Sequence, residues 1–427
     1  MKKMLWVLVI MALFCAGAEA ADNTAQGILR DFLEGNYEAI EARFSPSVRE
    51  QVRTEVLEQG WMGQLSQLGA FVEVSEQIRG EGTESLILLH ENGQQKLTVA
   101  YDGAGDLIGL NLQNAGNSTA NARSLPEGVS ARAVTLFEGT ERELKGEILI
   151  PAQVDASYVV LVQGSGPSDL DGSAYALKPI RDIAYDLAAL GVGSIRFDKV
   201  TFAHPELPCE TVVQEYLEPV AEGLRVLREE IDANRVYLIG HSEGGMLMPW
   251  LVQECGFDGG VSLAGTPRRM WEVIYQQGMA YIPTMAEEEQ EAALKMLEAE
   301  FRKARSLMEM TGEEAAQDTV FGVAAEYLRH LETLDILALA KESGKPMLFL
   351  WGERDVQVLQ VDYDGWKTGL ENPELYSFRS YPELNHMFVW EEEGLTLRES
   401  LDAYQRPADV DPRVASDIAS WLEAMET

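Results

Sequence analysis

The chain changes its hydrophobic rhythm more than once. Over residues 28–44 apolar side chains recur at helical spacing (Ile28, Phe32, Leu33, Tyr37, Ile40), and a second helical stretch covers 47–68. The period then drops to two. Residues 71–74, 85–89, 96–100 and 107–111 read as strands, with turns marked by Asn92-Gly93, Gly103 and Gly105. Helices followed by an antiparallel meander predict a small α+β domain over 22–115. A linker rich in Asn, Gly, Ser and Ala follows, placed at 116–126.

From residue 127 strand and helix patterns alternate to the C-terminus. Candidate strands lie at 147–150, 158–163, 193–197, 235–239, 260–264, 346–351 and 376–381. Candidate helices lie at 174–189, 212–231, 244–254, 365–371 and 411–423. Runs such as Val159-Val160-Leu161-Val162 are apolar on both faces, as strands buried on both sides require. The expected class is α/β, with a mostly parallel, doubly wound sheet. Over 268–339 the alternation stops. That segment is acidic and helical in propensity, with bulky apolar residues at Trp271, Ile274, Tyr275 and Phe301. An inserted helical lid is the expectation; an extra packing bundle is the alternative.

Composition narrows the partners. The 427 residues suffice for two to three domains, and a formal net charge of −36 argues against nucleic acid and anionic membrane surfaces. Most of those charges read as a solvated surface. Lys2 and Lys3, an apolar run over 5–15 and Ala18-Glu19-Ala20 have the form of a cleavable secretory signal over 1–20. The apolar run is too short for a stable membrane anchor, and Phe14 before Cys15 is bulky where a lipoprotein site needs a small residue. The expected location is periplasmic or extracellular. Cys209 and Cys255 are then a candidate disulfide, with two buried free thiols as the alternative.

The candidate chemistry begins at Val236-Tyr237-Leu238-Ile239-Gly240-His241-Ser242-Glu243-Gly244. A strand running into Gly-x-Ser-x-Gly and then a helix is the setting of a nucleophile elbow. The five-letter motif arises by accident often enough that a Gly-rich turn with a capping serine must be weighed against it. A serine hydroxyl needs a base, and the base an orienting carboxylate. Two histidines follow Ser242. His330 falls in the helical insert, whereas His386 falls in a loop after the last strand and is the candidate base. Asp355, after the strand at 346–351, is the candidate acid, with Glu353 as competitor. Arg354 is expected to pair with a nearby carboxylate. An oxyanion needs two donors: the backbone N–H of Glu243, and one from Gln163-Gly164-Ser165-Gly166-Pro167, with Ser165 preferred and Gly164 the alternative. His90 stands alone, and neither a metal-ligand cluster nor a cofactor fingerprint is evident.

These motifs carry a resemblance. Residues 127–427 resemble the α/β-hydrolase superfamily and are most similar to exported bacterial carboxylesterases with a Gly-His-Ser-x-Gly elbow. The runs Gly164-Ser165-Gly166-Pro167-Ser168-Asp169-Leu170-Asp171, Arg196-Phe197-Asp198-Lys199 and Trp351-Gly352-Glu353-Arg354-Asp355 belong to the same likeness. Residues 28–111 resemble a small domain of unknown function that precedes some of these hydrolases. The resemblance implies Ser242 as nucleophile, Asp355 as acid and His386 as base. Gln163 departs from it, since the family usually has His there. Val200-Thr201-Phe202 departs too, where Arg-Gly and a small residue are common. The expected activity is hydrolysis of a small-molecule carboxylic ester through an acyl-enzyme on Ser242. A peptidase or amidase on the same fold is the alternative, and a catalytically inactive binding protein is the alternative of another class.

Overall fold

The computed structural model describes residues 24–425 except 50–51, 81, 91–92, 104, 117–122, 154–155, 206 and 208. The expected signal segment and most of the expected linker lie outside the described residues. The chain divides into two compact units, Met1–Ala120 and Asn121–Thr427.

In the first unit, helices α1 (Ala25–Glu34), α2 (Tyr37–Arg43), α3 (Pro46–Arg49) and α4 (Thr54–Leu68) precede strands β1 (Phe71–Arg79), β2 (Thr83–His90), β3 (Gly93–Tyr101) and β4 (Leu107–Gly116). The strands form an antiparallel meander in chain order. The helical stretch at 28–44 is two helices, because Gly35 takes φ +74° and ends α1. The stretch at 47–68 is also broken. α4 starts anew at Thr54, whose N–H and hydroxyl both donate to the Glu41 carboxylate. Phe32 stacks on Trp61 at 4.9 Å over Leu86, Leu88, Leu97 and Val99. His90 packs here: its Nδ1–H donates to the Gly69 carbonyl at 3.1 Å, and its ring lies against Trp61 and Phe71.

The second unit is built on an eight-stranded sheet. In chain order it contains β5 (Ser130–Leu136), β6 (Leu144–Ile150), β7 (Tyr158–Val162), α5 (Pro179–Ala189), β8 (Gly193–Phe197), α6 (Val200–Ala203), α7 (Glu218–Ile231), β9 (Val236–His241), α8 (Glu243–Cys255) and β10 (Gly260–Leu263). The insert follows: α9 (Met270–Tyr281), α10 (Glu287–Arg305), α11 (Gly312–Gln317), β11 (Thr319–Val320), β12 (Val323–Ala324), α12 (Ala325–Glu332) and α13 (Ile336–Ser343). The chain closes with β13 (Met347–Gly352), α14 (Gln360–Gly369), β14 (Tyr376–Tyr381), α15 (Leu397–Ala403) and α16 (Pro412–Met425). The strand order is β14-β13-β10-β9-β7-β8-β6-β5. All pairs from β14 to β8 are parallel, and β6 joins β8 and β5 antiparallel.

Alternation along β7 separates two cores. Tyr158, Val160 and Val162 face the layer of α7, α8 and α13, whereas Val159 and Leu161 face α5 and α16. Each aliphatic side chain so buried contributes about 1.5–3 kcal/mol. The edge strand β5, the helix α15 and the β11–β12 hairpin escape the sequence reading. Each is too short or too exposed to show a clear period. α5 starts at Pro179 rather than 174, where a proline at the first turn fits a helix start. α14 starts at Gln360 rather than 365, because Asp362 accepts the Leu359 N–H at 2.9 Å and caps the earlier turn. The insert is not wholly helical, since β11 and β12 pair within it. Cys209 and Cys255 are free, and burial pushes both thiols up to about 12.

Candidate active site

Ser242 sits between β9 and α8 with φ 55° and ψ −115°, a region that residues with a Cβ rarely occupy. Two bonds hold it there: its N–H donates to Leu263 at 2.8 Å, and its carbonyl accepts from Met246 N–H at 2.8 Å. The glycines around it are required by close approach. A Cβ on Gly240 would lie 2.1 Å from the Gly244 carbonyl oxygen, and one on Gly244 would lie 2.6 Å from that of Gln163. The strand-to-helix turn can therefore be this tight only with glycine at both positions.

The structure brings the two other candidates of the sequence to this turn. His386 Nε2 lies 3.0 Å from Ser242 Oγ, and His386 Nδ1 lies 2.7 Å from Asp355 Oδ2. Asp355 stands in the loop after β13, the strand neighbouring β10. Its other oxygen accepts the N–H groups of Gln357 at 2.8 Å and Val358 at 2.9 Å. With Nδ1–H donated to that carboxylate, the neutral ring of His386 leaves Nε2 as an acceptor for the serine O–H. The His386 loop is itself held by Asn385, which accepts from Met387 N–H at 2.9 Å and donates to Glu391 at 2.9 Å. Glu353, the competing acid, accepts from Ser380 Oγ at 2.7 Å and does not join the cluster. Arg354 pairs with the Glu393 carboxylate at 3.6 Å, as expected, and also braces the loop by donating to the carbonyls of Pro382 and Glu391. His330 packs edge-on against Trp250. His241 is buried beside Ser242. Burial, then the neighbouring His386, pushes it down to about 3, and its Nε2–H donates to the His386 carbonyl at 2.8 Å.

Opposite His386 lies the loop after β7. A Cβ on Gly164 would meet Ser242 Cβ at 2.9 Å, so this backbone passes directly over Ser242. Gln163 anchors the loop by donating to the carbonyls of Asp169 at 3.0 Å and Phe197 at 2.6 Å. Behind it is a polar cluster. Lys199 Nζ lies 2.8 Å from the Gly164 oxygen, 2.9 Å from Tyr216 Oη and 3.1 Å from Glu215. Tyr216 Oη is also 3.1 Å from the carboxylate of Glu243, which accepts from Tyr327 on α12 at 3.0 Å. Glu215 and Tyr216 lie on a single π-helical turn, Val213–Leu217, that leads into α7.

A cavity of about 550 Å³ opens above Ser242. Ser165, Gly164, Glu243 and His386 line it, and the insert contributes Val273 and Ile274 of α9 with Tyr327 and Leu328 of α12. The insert therefore lines the space above Ser242 with a mostly apolar wall. Among the described residues no three His, Cys, Asp or Glu side chains are gathered for a metal ion. Also among them, no helix is long and apolar enough to cross a membrane.

The chain is 30% identical over 410 residues to the esterase EstD of Thermotoga maritima, covering 94% of this chain and 95% of that protein. It belongs to the α/β-hydrolase esterases. The same alignment spans both units. Residues 25–110 match the family described as "Protein of unknown function (DUF3887)". Solved structures are more distant. An esterase of Pyrococcus furiosus is 14% identical, covering 71% of this chain and 97% of its own at a TM-score of 0.44. The esterase domain of a Rhodothermus marinus protein is 15% identical, covering 68% and 97% at 0.42.

For this carboxylesterase, sequence reasoning missed the cluster of Lys199, Glu215, Tyr216 and Tyr327. Lys199 does stand in the Arg196-Phe197-Asp198-Lys199 run that carried the family likeness, which was its one visible signal. Glu215 and Tyr216 read as ordinary positions of an amphipathic helix. Tyr327 lies in a segment whose periodicity reports packing and not chemistry.

Proposed function

We propose that this ester hydrolase works through an acyl-enzyme on Ser242. His386 Nε2 takes the serine proton as Oγ bonds the acyl carbon, then returns that proton to the departing alcohol. Water attacks next, giving a proton to His386, which passes it to Ser242 Oγ as the acid leaves. Asp355 holds the ring in the tautomer that this requires and stabilises the imidazolium. Glu243 N–H at the start of α8 and Ser165 N–H, with Gly164 N–H the alternative, receive the charge that develops on the acyl oxygen. The observation that carries the reading is the relay of 3.0 Å and 2.7 Å between Ser242, His386 and Asp355, on a serine held at positive φ. The cavity volume and its apolar wall suit a small ester with an alkyl or aryl group. Residues 1–20 support export, which the N-terminal sequence of protein made in its own host would test: cleavage predicts Ala21 as the first residue.

The decisive experiment is covalent labelling. A fluorophosphonate is expected to add to wild-type protein at Ser242 and to spare Ser242→Ala, with p-nitrophenyl ester hydrolysis falling at least about 10⁴-fold in the variant. Equal hydrolysis by the two proteins would refute the mechanism. Ester binding without hydrolysis by wild-type protein would favour a binding role.

A further inference from the structure

A buried ammonium stands directly behind the oxyanion loop. The Lys199 side chain is 3% exposed, as is its partner Glu215. Taking a cation out of water is costly unless every proton on it finds an acceptor. Here the ammonium donates to the Gly164 carbonyl and to Tyr216 Oη, and ion-pairs with Glu215 at 3.1 Å. The phenolic proton of Tyr216 has two acceptors in reach, the Gly164 carbonyl at 2.8 Å and the Glu243 carboxylate at 3.1 Å, so Tyr216 helps Lys199 to pin that carbonyl. The ammonium also lies 4.3 Å from the centroid of the Tyr216 ring. Thr201 completes the cluster by donating to Glu215 at 2.6 Å.

Two consequences follow for the reaction. The Gly164–Ser165 peptide is trans, so its C=O and N–H point in opposite directions. Pinning the carbonyl to Lys199 turns the Ser165 N–H away from the cluster. Among the described residues that N–H has no acceptor, and Ser165 lines the cavity above the nucleophile. A cation on the carbonyl end also polarises the peptide and makes its N–H a stronger donor. The second consequence concerns Glu243. Its N–H is the other oxyanion donor, yet its own carboxylate, buried at 4% exposure, would oppose a negative charge nearby. The hydroxyls of Tyr216 and Tyr327, with Lys199 beyond, offset that charge.

We propose that Lys199 is the positioning residue of the oxyanion hole: directly it aims the Ser165 N–H, and through Tyr216 it offsets the charge of the Glu243 carboxylate beside the second donor. The assignment rests on the acyl-enzyme reading. Its benefit grows with the charge on the acyl oxygen, so it favours the transition state over bound ester.

The test pairs Lys199→Met with the nearly isosteric Tyr216→Phe. In Lys199→Met, kcat is expected to fall about thirtyfold or more, with KM within about threefold. Tyr216→Phe should lose about five- to tenfold in the same way. Affinity for a trifluoromethyl ketone, which forms a charged tetrahedral adduct with serine, should fall by the same factor in each variant. Inhibition by the product carboxylic acid should move by much less. Methylammonium is expected to restore part of kcat to Lys199→Ala, a gain that a packing role would not produce. A folded Lys199→Met with kcat within threefold of wild type would overturn the proposal. So would a loss of kcat with unchanged ketone affinity. If Lys199→Met does not fold, Tyr216→Phe decides by the same two criteria. Wild-type protein that neither hydrolyses esters nor binds the ketone would instead bring down the acyl-enzyme reading, and the proposal with it.

Discussion

The two sides of this site are held by different kinds of partner. On the base side the bonds that orient Asp355 and Asn385 are local, although His241 and Arg354 add longer ties to the His386 loop. Asp355 takes N–H groups from two and three residues further on, and Asn385 takes them from two and four. On the oxyanion side the bonds span long stretches of sequence: 35 residues from Lys199 to Gly164, 27 from Tyr216 to Glu243, and 84 from Tyr327 to Glu243. A carboxylate wrapped by its own following turn can be set by a short loop. A peptide that must be turned toward empty space needs a bracket from elsewhere in the fold. The two carboxylate and carboxamide anchors of the base side are therefore set within their own loops on neighbouring strands, and the oxyanion side is a joint product of β7, β8, the π-helical turn and the insert.

The sharpest way to break that comparison is to remove charge from the base side. Asp355→Asn keeps the shape but leaves the carboxamide unable to hold His386 in the productive tautomer. We expect kcat to fall about 10³- to 10⁴-fold. Glu353→Gln, two residues earlier and hydrogen-bonded to Ser380, should stay within about twofold. Steady-state kinetics on one ester checks both, and comparable losses in the two variants would mean that the acid has been misassigned. On the oxyanion side each partner carries less, because several share the work. Tyr327→Phe removes one of the two hydroxyls on Glu243 and the polar link from α12 to the nucleophile turn. About 1–2 kcal/mol of stability should be lost, and kcat should fall by less than tenfold. Thermal unfolding together with kcat measures both. A loss as large as that of Asp355→Asn would show that the insert holds the reacting groups directly.

The same contrast explains what the sequence discloses. Ser242, Asp355 and His386 were legible because each stands where a strand stops, and strand ends are marked by period and by glycine. Gly240 and Gly244 are spaced by the geometry of one turn, so the motif and the fold are the same fact. The sheet was legible where strands are buried on both faces, as β7 and β13 are. The edge strand β5 was not, because most of its residues are exposed and no apolar run marks it. Helix breaks such as Gly35 were hidden inside a continuing apolar period, which reports the buried face and not the continuity of the backbone. The bracket around Gly164 was not legible either. Nothing local to Tyr216 or Tyr327 requires a hydroxyl; only the approach of β8 and α12 to the nucleophile turn gives those groups a partner.

The smallest effect expected is one of stability, and it probes how the far end of the oxyanion loop is tied down. Asp198, just after β8, accepts the Leu170 N–H at 2.8 Å. Burial, above all, pushes its carboxyl from 3.8 up to about 6, and the nearby Asp169 adds to this. Because the folded value lies above the unfolded one, the folded state prefers the protonated acid. The stability this group contributes is fully present below about pH 4 and is lost as the pH rises through 6. A rise from 3.8 to about 6 corresponds to at most ~3 kcal/mol. Asp198→Asn keeps an oxygen for Leu170 and does not titrate. The variant should therefore unfold with wild-type stability near pH 4 and be more stable by about 1–3 kcal/mol at pH 8. Denaturant melts at the two pH values decide it. Parallel curves for the two proteins would mean that Asp198 holds the loop without cost, and that the oxyanion side is no more strained in its anchoring than the base side.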